Sequence, residues 1–427
     1  MTYAEAIQFL YGLRWFGAKF GLENSLMLAA LAGNPQNQLR FIHVAGTNGK
    51  GSTCAMLESI YRAAGLRVGL FTSPHLVSFR ERIQVNRELI SEAGVVQLVG
   101  EMQPWLKEFP PDHHPTFFEV VTVLALRYFA EQKCDLVIWE TGLGGRLDAT
   151  NIVTPLASVI TNVQYDHQKW LGDTLAQIAA EKAGIIKPGV PVITGVEEPQ
   201  ALVVIQETAI QRGSPLTLIT PEHTLHPPLD TLRLPLLGWH QRMNAAVALA
   251  TVRGLDTQLA VGEDTLRAGL ASVQWPGRLQ LAELGGGRQV LLDAAHNSAG
   301  ATMLRAAWEE HFPGRRPAFI LGIMQDKDWD LMCEILAPLA ARIVCVAISS
   351  ERTADPAQLR DACRRTNPEA EVDTCPTLTQ ALALMDVEPF LVIAGSSYLI
   401  GEAMERLNLV ANPGTDEKTL NEWVGRR

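Results

Sequence analysis

The stretch FIHVAGTNGKGST, residues 41–53, governs how the rest of the chain is read. An apolar run at 41–45 ends in glycines grouped around one lysine, and a helical pattern follows. A strict phosphate loop reads G-x-x-x-x-G-K-[ST]. With its lysine set on Lys50, its first glycine falls on Val44 and its hydroxyl on Gly51, so the match fails twice. The chemistry is nevertheless present. Gly46, Gly49 and Gly51 let backbone N–H groups approach an anion, Lys50 supplies charge for phosphate oxygens, and Ser52 and Thr53 put hydroxyls at the helix start. A glycine-rich turn carrying a solvated lysine is the plain alternative. The strand before and the helix after favour a nucleotide-phosphate site.

Outward from the loop, short apolar runs alternate with helical stretches. Strands are expected in LRFIHVAG, RVGLFTS, CDLVIWETG, LASVITNV and VPVITG, and helices in STCAMLESIYRAAG, FFEVVTVLALRYFAEQ and TLAQIAAEKAGIIKPG. Such alternation predicts an α/β fold, a mostly parallel sheet covered by helices. Residues 213–238, rich in Pro, Thr and Leu, read as small antiparallel strands or loops. Pro276 and three consecutive glycines at 285–287 mark a boundary, giving domains 1–285 and 286–427. From 288 a second alternation, QVLLDAAH to FLVIAGS and a last helix, predicts a smaller doubly wound, Rossmann-like C-terminal domain. No G-x-G-x-x-G follows its first strand, so no dinucleotide site is expected there.

Composition narrows the partners. A chain of 427 residues is too long for one ordinary core, which fits two domains. The net charge of −10 argues against general binding to nucleic acid or anionic membranes. No apolar run reaches membrane-spanning length, and the N-terminus carries Glu5 without a basic region before an apolar block, so no signal peptide is expected. Six scattered cysteines without a C-x-x-C predict free thiols in a reducing, cytoplasmic setting.

Ligands of α/β sheets bind beyond the carboxyl ends of strands. Ser73 follows one expected strand, Glu140 ends another, and Asp166 and His167 follow a third. Each alone is ordinary turn chemistry. Beside the glycine loop, Ser73 and Glu140 suit a magnesium shell completed by phosphate, with His167 a less typical partner. On the expected helix 174–187, Lys182 shares an otherwise apolar face with Leu175, Ile178, Ala179 and Ile186. Its amine either snorkels to water or stays buried and partly neutral, able to take up CO₂ as a carbamate. In the second domain Asp293, His296 and Asn297 end one strand, and Asp326, Lys327 and Asp328 follow another. If the domains face each other these groups border the same cleft; capping and solvated charge are the plain alternatives.

The motifs HVAGTNGKGST, TSPHL, RERIQVN, ETGLGGRLDATN, AEKAGIIK, HQRMNAAVA, WPGRLQ and LLDAAHN follow one another along nearly the whole chain. In them the chain resembles the folylpolyglutamate synthase/dihydrofolate synthase family, the folate branch of the Mur-ligase-like amide ligases, whose loop has the form G-T-N-G-K-G-[ST]. The resemblance implies a P-loop-containing Mur-ligase-like N-terminal domain with a glutamate-ligase C-terminal domain. By the same resemblance ATP is held by Asn48, Gly49, Lys50, Gly51, Ser52, Asn244, Arg278 and Asp293, with His296 in the last motif a catalytic candidate beside Lys50, His167 and Lys182. Metal ligands map to Ser52, Ser73, Glu140, His167 and a carboxylated Lys182, serving two Mg²⁺ ions with a monovalent cation as a further candidate. The folate pocket maps to Thr116, Phe117, Phe118, Leu147, Asp148 and Ala149; for Phe117 and Phe118, helix core is the alternative. Ser298 stands where many members have proline.

The implied reaction is ATP-dependent: a folate-side carboxylate becomes an acyl phosphate, which the amine of L-glutamate displaces. Dihydropteroate and tetrahydrofolate are the candidate acceptors, the protein a monomer acting on small molecules. One rival reading is a Mur-type ligase acting on a UDP-linked peptidoglycan precursor. Another is a nucleotide-binding switch with no ligase activity.

Overall fold

The computed structural model describes residues 1–16, 21–410 and 417–421. The first sheet contains β1 (Phe41–Ala45), β2 (Val68–Phe71), β3 (Ile83–Val85), β4 (Glu88–Leu89), β5 (Leu136–Glu140), β6 (Ala157–Ile160), β7 (Val192–Thr194) and β8 (Leu216–Leu218). Their spatial order is β4-β3-β2-β5-β1-β6-β7-β8, with the β2–β3 and β3–β4 pairings antiparallel and the rest parallel. Strands β1 and β5 are buried at every residue. They therefore read as continuous apolar runs, because helices cover both faces of a parallel sheet. Alternate residues feed two cores: Phe41, Val137 and Trp139 point into one, and Ile42, Val44 and Ile138 into the other.

The second sheet holds β9 (Gln280–Glu283), β10 (Gln289–Asp293), β11 (Ala318–Leu321), β12 (Arg342–Val346), β13 (Glu371–Cys375) and β14 (Phe390–Ala394), ordered β13-β12-β11-β14-β10-β9. Only β9 runs antiparallel, pairing Leu291 with Leu281 across the hairpin. The glycines at 285–287 are the turn of this hairpin, all at positive φ. They therefore lie inside the second sheet, and the passage between sheets precedes Gln280, not residue 285. Consecutive glycines suit a tight turn as well as a linker, so sequence does not separate the two uses. The ends of the expected domain 286–427, at 411–416 and 422–427, fall outside the described residues.

Residues 213–238 also differ from expectation. β8 is parallel to β7, since the helix Pro199–Gln211 carries the chain back before it pairs. Antiparallel pairing occurs instead at β3 and β4. The helix bearing Lys182 spans Leu175–Ala183, shorter than 174–187, because Gly184 packs against Arg146 and the chain leaves the helix there. All six cysteines are free. Among the described residues no helix is long and apolar enough to cross a membrane.

Candidate active site

A cleft of about 340 Å³ opens at the carboxyl ends of β1, β5 and β6 and is closed on its far side by residues following β10. The phosphate loop is built from its first glycine. Gly46 sits at φ +151°, and a Cβ there would lie 1.9 Å from Thr161 Oγ1. The loop is then stitched to the end of β6. Thr161 Oγ1 donates to Asn48 O at 2.7 Å, Asn48 N donates to Asn162 Oδ1 at 2.8 Å, and Asn48 Nδ2 donates to Gln164 Oε1 at 3.0 Å. Gly49 adopts the left-handed conformation that starts the helix Lys50–Ala63, and Asn244 Oδ1 fills the place of its missing side chain. Ser52 and Gly51 line the cleft from the helix's first turn.

Two lysines converge on one carbonyl. Lys50 Nζ donates to Gly46 O at 3.1 Å and to Thr47 O at 3.2 Å, and Lys182 Nζ donates to Gly46 O at 2.9 Å. Lys182 is 3% exposed, so its amine is buried and does not snorkel. Burial first, and then the charge of Lys50, pull its pKa down to about 7. Across the cleft Glu140 is pushed up to about 7 by burial, against the pull of Lys50 and the hydrogen bond from Ser73 N to its Oε2 at 3.0 Å.

Asp166 is the centre of the domain contact. Its side chain is 6% exposed and its oxygens take Lys327 Nζ at 2.5 Å, Asn297 Nδ2 at 3.0 Å and His296 Nε2 at 3.5 Å, all from the second domain. Burial works to raise its pKa, but the His296 hydrogen bond and the neighbouring His167 and Lys327 hold it well below the usual carboxylate range. Burial lowers His167 to about 3, with Asp166 opposing. Asn297 and Asn48 exchange side-chain hydrogen bonds at 3.1 and 3.2 Å, so the phosphate loop itself is pinned to the second domain. Asn297 also caps the helix Ser298–His311, accepting from Gly300 N at 2.8 Å, with Ser298 at the first helical position.

The nucleotide candidates Asn48, Gly49, Lys50, Gly51, Ser52, Asn244, Arg278 and Asp293 line this cleft, with His296 and the metal candidates Ser73, Glu140, His167 and Lys182. Asp293 spends its oxygens locally, on Leu279 N at 2.8 Å and Ala295 N at 2.9 Å. The six folate candidates do not line the cleft; of them, Phe118 and Asp148 contact its 142–144 wall. Thr116 caps the helix Phe117–Glu131. Phe117 is core, edge-on to Phe79 and beneath the Arg82 guanidinium. The Phe118 ring lies where a Gly142 side chain would be. Leu147 is half-buried and Ala149 buried. Asp148 accepts from Leu143 N at 2.7 Å and from Thr150 N at 3.0 Å, so its carboxylate organises its own loop. Asn162 and Gln164, which hold the phosphate loop, carried no distinguishing signal in sequence beyond polarity after an apolar strand.

The donor set suits magnesium better than a softer ion. Glu140 is a buried carboxylate sharing the cleft with Ser52 and Ser73, and among the described residues no three His, Cys, Asp or Glu side chains gather closely enough to hold a metal. Magnesium characteristically takes few protein oxygens and fills its shell with phosphate and water.

Two α/β domains meeting over a phosphate loop, with a buried lysine beneath it and an acid–imidazole–amine cluster across the seam, define a Mur-ligase-type fold. Residues 44–212 match the Mur ligase middle domain and residues 277–397 the Mur ligase glutamate ligase domain. The dihydrofolate synthase/folylpolyglutamate synthase of Bacillus subtilis (strain 168) is 36% identical over 428 residues, covering 95% of this chain and 99% of that protein. The Mycobacterium tuberculosis folylpolyglutamate synthase, solved with ADP and AMPPCP, superposes with a TM-score of 0.85 at 30% identity, covering 95% of this chain and 99% of that one. Escherichia coli FolC, solved with DHPP and ADP, gives 0.84 at 30% identity, covering 96% and 98%. The chain belongs to the dihydrofolate synthase/folylpolyglutamate synthase family.

Proposed function

We propose that the protein is an ATP-dependent ligase that joins L-glutamate to dihydropteroate, to tetrahydrofolate or to both, through an acyl phosphate. The observation that carries this reading is the meeting of Lys50, Glu140 and Lys182 with Arg278, Asp293 and His296 around one cleft. A simple nucleotide switch would need only the first set. The UDP-precursor reading is disfavoured by the full-length similarity to folate enzymes.

In this reading Lys50 leaves the carbonyls of Gly46 and Thr47 for the transferring phosphoryl oxygens, and loop N–H groups cradle the rest. Ser52, Ser73, Glu140 and His167 would hold magnesium, which supplies charge neutralisation for the phosphates. Lys182 is the group we propose to carry a carbamate. With a pKa near 7, much of its amine is neutral at physiological pH; addition to CO₂ forms an N–C bond and releases one proton. Asn244, Arg278, Asp293 and His296 would border the nucleotide, and Thr116, Phe117, Phe118, Leu147, Asp148 and Ala149 the pterin end. Because Asp148 and Phe117 are already engaged within the fold, we assign them to shaping that pocket's wall. Two functional units are proposed, meeting before β9 and not at residue 285. All substrates are small molecules, and we propose a cytoplasmic monomer.

The test is one incubation with ATP, Mg²⁺, glutamate and either dihydropteroate or tetrahydrofolate, with product masses read directly. A glutamylated product with ADP is expected from one or both acceptors, and none from Lys50→Ala. Glutamate-independent ADP release with no new amide overturns the ligase reading.

A further inference from the structure

The segment that follows β2 ends one wall of the cleft with Ser73 and then runs as a loop to Arg82. Its far part is gripped by residues from the end of the chain. Glu417 is fully buried. Its Oε2 accepts from Phe79 N at 2.6 Å, Ser78 Oγ at 3.0 Å and Tyr3 OH at 3.1 Å. Arg82 Nε donates to His75 Nδ1 at 2.9 Å, so the ring proton of His75 sits on Nε2, which donates to Glu417 O at 2.8 Å. Asn421 closes the loop from its other side: Nδ2 donates to His75 O at 2.9 Å and Oδ1 accepts from Arg82 at 2.6 Å. Leu420 is buried in the first domain's core.

The same short segment is tied to the second domain. Lys418 pairs with Glu405 in the helix Ser397–Arg406. On that helix Gly401 lies against the loop so closely that a Cβ would stand 2.0 Å from Leu76 O. The loop is thus held between the second domain and the chain's end. Its N-terminal residue, Ser73, donates to the Glu140 carboxylate, and its C-terminal residue, Arg82, lies over the Phe117 ring.

We infer that Glu417 and Asn421 are positioning residues for Ser73 and Glu140, acting through the 73–82 loop, the Glu417 carboxylate on Ser78 and Phe79 and the Asn421 amide on His75 O and Arg82. They never reach the cleft; they fix the backbone that does. Partners standing behind a metal ligand hold its orientation, and losing one weakens metal binding about 10- to 100-fold. The inference rests on the magnesium assignment above, and its test does not require ligase turnover.

The experiment compares full-length wild type with Glu417→Ala, Glu417→Gln and Asn421→Ala. Calorimetry measures ATP-analogue binding with and without Mg²⁺, and amide exchange reports on residues 73–82. Glu417→Ala should lose the Mg²⁺-dependent part of nucleotide affinity by roughly 10-fold or more, keep the Mg²⁺-free part, and expose the 73–82 amides. Glu417→Gln, which still accepts from Phe79 N and Ser78, should recover most of it. Unchanged Mg²⁺ dependence in both alanine variants overturns the inference. So does a fall in Mg²⁺-free and Mg²⁺-dependent binding in equal proportion with the folded fraction, since that is the signature of a purely structural role. A wild type that binds nucleotide with Mg²⁺ but forms no glutamyl product sinks the ligase reading alone.

Discussion

Lys182 and Glu140 owe their behaviour to burial more than to their neighbours, whereas Asp166 owes its own to the neighbours. Lys182 and Glu140 both approach neutrality near pH 7 because each lacks water. Lys182→Ala should lower kcat about 100-fold, the scale seen when one preorganised electrostatic group is removed, with nucleotide affinity within a few-fold. Steady-state kinetics beside calorimetry checks this; a kcat within twofold of wild type removes Lys182 from the reaction. Intact-mass measurement under CO₂ then decides whether the amine carries a carbamate. His43 makes a cleaner case for pH. It is buried in β1 with Nε2 on Thr150 Oγ1 at 2.9 Å, and burial lowers its pKa from 6.5 to about 3. A base with a depressed folded pKa stabilises the fold above its unfolded pKa. That contribution shrinks as pH falls from 6.5 toward 3, at about 1.4 kcal/mol per unit. Glu140 works in the opposite sense between 7 and 4.5, so only a difference is diagnostic. Between pH 6.5 and 5, urea denaturation should cost wild type about 2 kcal/mol more than His43→Gln. Equal losses would show that His43 titrates normally.

At the scale of elements, the informative unit is β1 with its loop. The strand is buried on both faces, and the chain leaves it through Gly46 at a conformation and a spacing that exclude a side chain. Gly46→Ala must therefore move Thr161, whose hydroxyl also holds Asn48 O. The expected outcome is a folded protein destabilised by about 1–3 kcal/mol with nucleotide binding lost. Thermal denaturation and nucleotide titration measure the two effects separately. Normal nucleotide binding in this variant would mean the loop tolerates a different path from the one described.

For the whole molecule, the decisive contact is a single carboxylate. Asp166 gathers Lys327, His296 and Asn297 across the seam, and Lys327 is only 7% exposed. Removing one partner of a buried pair leaves an uncompensated charge and typically costs about 3–5 kcal/mol. That cost falls on the closed arrangement, because opening returns Lys327 to water. Asp166→Asn should accordingly raise the radius of gyration in solution scattering without nucleotide, while each domain melts as before. An unchanged scattering profile would show that other contacts hold the seam.

Much of this molecule was readable along the chain. Apolar runs in β1, β5 and β10 reported strands buried on two faces, and the glycines, Lys50 and the strand-end polar residues reported a phosphate site, because these signals are local. Lys182 stood out for the same reason: one charge on an apolar face. What local pattern could not supply was pairing. β8 is parallel because a helix brings it back, and the 285–287 glycines turn a hairpin because β9 has β10 to pair with. Asp166 became the seam because Lys327 and Asn297, far away in sequence, arrive beside it. The Glu417 carboxylate reaches Ser78 and Phe79 only because residues 417–421 fold back onto the 73–82 loop. Periodicity records how each residue sits on its own element; which elements meet depends on long-range packing, and every bond across the cleft is of that second kind.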